Sequence, residues 1–156
     1  VWARAPTSRR DPRYVPAGVD TSGYRGRGLE ACEAAGIDRG RVALDAGSGV
    51  GKTGAQNLQL FEQLALFQGL GTAVLLGASR KSFIAKLSSQ GNAPKQRLGG
   101  SLAAALFGLQ RGVQILRVHD VAETCQAVAV WQAAAGVPSP ADDFDSPADS
   151  ARGALL

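Results

Sequence analysis

Three apolar runs in this sequence each end on side chains able to grip a small anion or a polar ring. Residues 41–45 (RVALD) end on a carboxylate, Asp45. Residues 72–77 (TAVLLG) pass into Ala78, Ser79, Arg80, Lys81 and Ser82. Residues 113–118 (VQILRV) carry Arg117 and lead into His119, the single histidine, and Asp120. If the third run is a strand, Arg117 and His119 are two apart and point to one side. A guanidinium and an imidazole so placed suit a phosphate oxygen. Lys81 opens a predicted helix, where the helix dipole disfavours a cation. Such a local conflict marks a functional position. Ser82, in the same first turn, is placed to join free backbone N–H groups in holding a carboxylate or phosphate.

The elements that must hold these groups alternate along the chain. A short helix at 29–35 is expected to stop at Gly36, a left-handed cap. After the first strand, residues 57–67 put Leu60, Phe61, Leu64 and Phe67 on one helical face. Gly69 and Gly71 close that helix. After the second strand, Ser82–Leu87 and Leu98–Gln110 read as helices, separated by the loop GNAPKQ. After the third, Asp120 with Glu123 three residues on reads as a capping box. Near-continuous apolar strands separated by helices predict a parallel sheet covered on both faces. In such α/β folds the chemistry gathers at the carboxyl ends of the strands.

Composition bounds the rest. The chain has 156 residues, 45 % hydrophobic and 19 % charged, with 20 glycines. That is the composition of a globular domain, not of a disordered chain. A closed eight-stranded α/β barrel needs roughly 250 residues, more than this chain supplies. The net charge is +4, and the basic residues form no stripe with interleaved aromatics, so nucleic acid is not expected as a partner. No stretch approaches the ~20 apolar residues of a membrane span, and the first ten residues lack the apolar core of a secretory signal. A cytoplasmic protein with Cys32 and Cys125 as reduced thiols is expected. Residues 1–28 are rich in Arg, Pro and Gly without an apolar period and read as irregular. Residues 136–156 read as a disordered tail.

A rival chemistry lies in residues 46–53 (AGSGVGKT). From Ala46 to Thr53 they nearly satisfy the phosphate-loop pattern, between a strand and a helix as that loop requires. Lys52 would then meet the phosphates of a nucleotide and Thr53 a magnesium ion. Asp45 argues against this reading, because an unpaired carboxylate beside the loop repels a triphosphate.

Four ordered stretches, ALDAGSGVGKT with Asn57, VLLGASRKSFI, RLGGSLAAAL and ILRVHDV, resemble the later motifs of the dihydropteroate synthases. ACEAAGI upstream and DPRY (Asp11 to Tyr14) are similar more weakly. The resemblance spans about residues 29–135 and implies an incomplete TIM (β/α)8 barrel: the last three βα units, with a parallel sheet. It implies a transferase of folate biosynthesis. Such enzymes join 6-hydroxymethyl-7,8-dihydropterin pyrophosphate to p-aminobenzoate, release pyrophosphate, use Mg2+ and are sulfonamide targets. Carried over by motif, Asp45 would bond the pterin's amino and ring nitrogens. Lys81 would contact the pterin carbonyl and border the aminobenzoate pocket, and Ser82 would help hold the aminobenzoate carboxylate. Arg117 would stack on the pterin and, with His119, bind pyrophosphate. Asn57 would lie near the magnesium and anion site. Two positions depart from the pattern: Ala46 stands where the motif has proline, and Val50 where an aromatic walls the aminobenzoate pocket. The family's main magnesium ligand belongs to its first half, so the resemblance implies a chain with little activity alone. It also implies a homodimer through the late helices.

Overall fold

In the computed structural model, residues 17–48, 53–88 and 91–137 are described, with side chains from residue 26 onward. Residues up to Asp120 form one compact unit and those from Val121 a second. The first unit contains helices α1 (Ala17–Ala34), α2 (Gly54–Glu62), α3 (Ser82–Leu87) and α4 (Leu98–Gln110). Its strands are β1 (Ala43–Asp45), β2 (Ala73–Leu76) and β3 (Ile115–Leu116). In the second unit the described element is α5 (Val121–Ala134).

The strands form one parallel sheet in the order β1-β2-β3. Leu44 pairs with Val74, Asp45 with Leu75, and Leu76 with Leu116. The ladder runs past the strand limits: Ala46 N–H donates to Leu75 C=O at 2.8 Å, and Arg117 N–H to Leu76 C=O at 2.9 Å. Burial alternates along β2, with Val74 and Leu76 buried and Ala73 and Leu75 half-buried. The expectation of a sheet covered on both faces is therefore corrected. One face carries Leu44, Val74 and Leu76 into the core; the other, with Ala43, Asp45, Leu75 and Ile115, is open or partly open.

The core of this unit gathers Leu60, Phe61, Leu64 and Phe67 with Val74, Leu76, Phe83, Ile84 and Val113. These include the four residues expected on one helical face at 57–67. That stretch is not one helix, however. α2 starts three residues earlier, at Gly54, and ends at Glu62; a 3-10 segment, Leu64–Leu70, completes it, closed by left-handed Gly71. Thr53 sets the start, its hydroxyl accepting Gln56 N–H while the Gln56 side chain accepts Thr53 N–H. Phe61 packs obliquely on Phe83 and Phe107, with ring centroids 5.6 and 6.1 Å apart.

α4 presents Ser101, Ala104, Ala105 and Gly108 as a buried stripe of small residues at helical spacing. Small side chains let this helix lie close on the sheet. A Cβ at Gly108 would stand 2.5 Å from Leu76 Cδ2. Ser101 thereby brings a hydroxyl to the end of β2.

The irregular reading of 1–28 is corrected where it can be compared, because α1 already begins at Ala17. Residues 17–28 include Gly18, Gly23, Gly26 and Gly28 and no apolar stripe, so periodicity gives no helix signal there. The helix extends upstream from buried Leu29 all the same, although each glycine costs roughly 1 kcal/mol relative to alanine. Its other end follows expectation: Gly36 has φ 77°, with Ile37 N–H on Cys32 C=O and Gly36 N–H on Glu33 C=O. Residues 1–16 and the tail from 138 onward lie outside the described residues. Among the described residues, no helix is long and apolar enough to cross a membrane.

Candidate active site at the carboxyl ends of the strands

Asp45 ends β1 on the open face of the sheet, and alternation puts Gly77 and Arg117 on that face too. The Asp45 carboxylate accepts Gly47 N–H at 2.7 Å through Oδ1 and Arg117 Nη2 at 3.1 Å through Oδ2. To reach it, the Arg117 guanidinium crosses directly over Gly77. A Cβ there would stand 2.6 Å from Arg117 Nη2 and 3.1 Å from Cζ. Glycine at 77 is thus the opening through which β3's arginine meets β1's carboxylate.

Lys81 caps α3 without a side-chain capping bond. Its ammonium turns to the β1 loop and donates to the Ser48 carbonyl. Ser48 in turn donates its hydroxyl to Gly77 C=O at 3.0 Å, which ties the β1 loop to the end of β2. Burial first, and then the nearby charge of Arg117, pull the Lys81 pKa below the ordinary lysine value; Asp45 opposes them. A desolvated ammonium, a guanidinium and a carboxylate therefore share one electrostatic environment.

His119 lies on the adjoining turn. Its Nδ1 is 3.0 Å from Ser79 Oγ, and its backbone N–H donates to the same oxygen at 3.2 Å. The Asp120 carboxylate, after His119, accepts the Arg80 guanidinium, with Nε donating to Oδ2 at 3.1 Å. That arginine holds the Asp120 carboxyl below the usual carboxylate range. The structure thus brings Asp45, Lys81 and Arg117 together and ties His119 to Ser79, two residues before Lys81.

Ser82 opens α3 with its side chain exposed. Asn57 is buried on α2 and donates Nδ2 to Thr53 C=O at 2.7 Å. Ala46 is fully buried, and the N–H it gives to the β1–β2 ladder is one that proline lacks. Val50 and Lys52 lie outside the described residues. The Thr53 hydroxyl, which the phosphate-loop reading assigns to a metal, is the cap of α2. Among the described residues no three or more His, Cys, Asp or Glu side chains group as metal ligands.

Sequence reasoning assigned no task to Gly77, Ser48, Arg97 or Ser101. The signals were present but small: a glycine ending an apolar run, and a serine on an otherwise apolar helix stripe.

Residues 7–119 match the pterin binding enzyme family. The chain is 39 % identical over 127 residues to the dihydropteroate synthase of Escherichia coli K12, covering 81 % of this chain and 44 % of that protein. It is 43 % identical, with a TM-score of 0.77, to the Xanthomonas albilineans dihydropteroate synthase solved in complex with 7,8-dihydropteroate, over 81 % of this chain and 48 % of that one. The same enzyme solved with 4-aminobenzoic acid matches at the same identity and TM-score. This chain spans about half the length of the relatives it matches. With a parallel α/β sheet, polar groups gathered at the strand ends and a family match over most of its length, the chain belongs to the pterin binding enzymes.

Proposed function

We propose that this chain carries part of a dihydropteroate synthase site, built on three consecutive units of a (β/α)8 barrel. The reaction is the condensation of a hydroxymethyldihydropterin pyrophosphate with p-aminobenzoate in folate biosynthesis. The observation that carries this reading is the meeting of Asp45, Arg117 and Lys81 on the open face at the strand ends. A relative solved with 7,8-dihydropteroate and with 4-aminobenzoic acid supports the choice of ligands.

In the reaction, the C–O bond between the pterin methylene and pyrophosphate breaks, and its electron pair leaves with pyrophosphate. The aminobenzoate nitrogen supplies the pair for the new C–N bond and then gives up a proton. N–H donors at Arg117 and His119 stabilise the negative charge growing on the leaving group. The amine is neutral and nucleophilic, so no strong base is needed. Asp45 offers its carboxylate to the pterin's N–H donors. Lys81, already partly desolvated, offers an N–H to the pterin carbonyl and borders the aminobenzoate, with Ser82 on the aminobenzoate carboxylate. In the ligand-free chain Arg117 sits on Asp45, and it must swing away to stack on the ring. That pair is largely exposed and worth at most about 1 kcal/mol, so a ligand can displace it.

Magnesium belongs to this reading through the family resemblance, with Asn57, whose Nδ2 donates to Thr53 C=O on α2, near the site it would occupy. No step here is routed through that ion. The three units supply one part of the pterin wall, so the 156-residue chain assayed alone is expected to turn over both substrates far below the rate of a full-length relative. Self-association through the late helices belongs to the same reading; light scattering giving a monomer at micromolar concentration contradicts it.

The test is a fluorescence titration with a hydroxymethylpterin, alongside Mg-ATP. Saturable pterin binding that weakens about tenfold in Asp45→Asn, one charge-assisted hydrogen bond's worth, is expected. Binding of Mg-ATP instead, or pterin binding indifferent to Asp45→Asn, overturns the assignment.

A further inference from the structure

Arg80 is, among the described residues, the one non-glycine with positive φ, at 57°. An L side chain is disfavoured in this left-handed region, and such a conformation persists where its surroundings over-determine it. Here they do so from three sides. Arg80 N–H donates to Ser101 Oγ at 2.9 Å. Arg80 C=O accepts Arg97 Nη1 at 2.8 Å. The Arg80 side chain grips Asp120, the residue after His119.

Ser101 and Arg97 are themselves fixed. The buried Ser101 hydroxyl donates to Arg97 C=O at 2.6 Å, four residues back, at the residue that caps α4. Arg97 also donates to Gly91 C=O at 2.7 Å and to Asn92 C=O at 3.0 Å, which binds the preceding loop to the same point. The turn so held has Ser79 on one side of Arg80 and Lys81 on the other. Ser79 meets His119, and Lys81 meets the β1 loop. One backbone conformation therefore aims two groups of the site.

We propose that Ser101 and Arg97 are positioning residues: together they hold Arg80 left-handed, and the turn presents Ser79 to His119 and Lys81 to the Asp45 side of the mouth. Its bearing on ligand binding rests on the function proposed above; its geometry does not.

The single imidazole makes the test direct, because ring 15N resonances report His119 alone. Ser79→Ala is expected to shift them, since it removes the ring's partner. Ser101→Ala is expected to shift them too, although Ser101 does not touch the ring. Arg80→Gly shifts them by removing the Asp120 pair, and adding Ser101→Ala to Arg80→Gly produces a smaller further shift than Ser101→Ala alone, because glycine adopts positive φ without the steric cost that Ser101 helps to offset. A merely structural serine would perturb the ring equally in both backgrounds. Ring signals unchanged in Ser101→Ala, or shifted as much in the glycine background as alone, overturn the proposal. Arg97→Gln tests the carbonyl side by the same readout, and replaces Ser101→Ala should that variant not fold. Inorganic pyrophosphate, added to the wild-type chain, separates the two readings. If it leaves the ring signals unmoved, the ligand assignment fails while the positioning role is still decided by the ligand-free spectra.

Discussion

Arg80–Asp120 and Arg117–Asp45 each join an arginine to a carboxylate across neighbouring strand ends, but their settings differ. The first pair is mostly shielded, with side chains 26 % and 15 % exposed, and its arginine backbone is held by Ser101 and Arg97. The second is 55 % and 32 % exposed and rests on a single contact over a glycine. Shielded and multiply bonded, the first pair fixes geometry. Exposed and singly bonded, the second can be exchanged for a ligand at little cost. The strand ends thus combine a frame that resists movement with a pair that can open.

The comparison can be broken at several points. Ser101→Ala strikes the frame hardest: it strips a partner from Arg80 N–H and another from Arg97 C=O, and about 1–3 kcal/mol should be lost in urea unfolding. A loss as small as that of a surface substitution would mean the frame is not held from α4. Next comes the left-handed residue itself. Arg80→Ala keeps the unfavourable φ and should be less stable than Arg80→Gly by about 1–2 kcal/mol; equal stabilities would deny the strain. On the open side, Arg117→Ala should change thermal stability by no more than about 1 kcal/mol while weakening pyrophosphate binding about tenfold. A large stability loss there would make this pair structural as well.

The smallest effect is in acid. Arg80 lowers the folded pKa of Asp120, so the pair's contribution is present above the unfolded carboxylate value. It fades as pH drops below about 4 and through the folded pKa. Asp120→Asn should therefore flatten the stability profile in that window and leave its slope near pH 7 unchanged. An identical acid slope in both proteins would show that the pair adds nothing.

What the sequence revealed follows the same division. The meeting of Asp45, Lys81 and Arg117 was legible because charged side chains at the ends of apolar runs have few other reasons to be there. The core positions of 57–67 and 72–77 were legible through their period, even where the helix between them breaks into two pieces. The frame was not legible. A left-handed Arg80 leaves no mark in composition, and its support comes from Ser101 and Arg97 on another element. Gly77 looked like the end of a strand; only the guanidinium lying across it shows why a side chain is excluded. The open face of the sheet escaped a reading based on apolar runs, because Ala43, Leu75 and Ile115 are apolar but not fully buried.

The central claim is that Asp45, Lys81, Arg117 and His119 serve one mouth. It is tested most directly by titrating pyrophosphate into 15N-labelled protein and following the His119 ring, in wild type and in Lys81→Ala and Arg117→Ala. Saturable movement of the ring signals, with the midpoint raised about tenfold in each variant, is the predicted result. Ring signals that ignore pyrophosphate, or that respond alike in all three proteins, would contradict it.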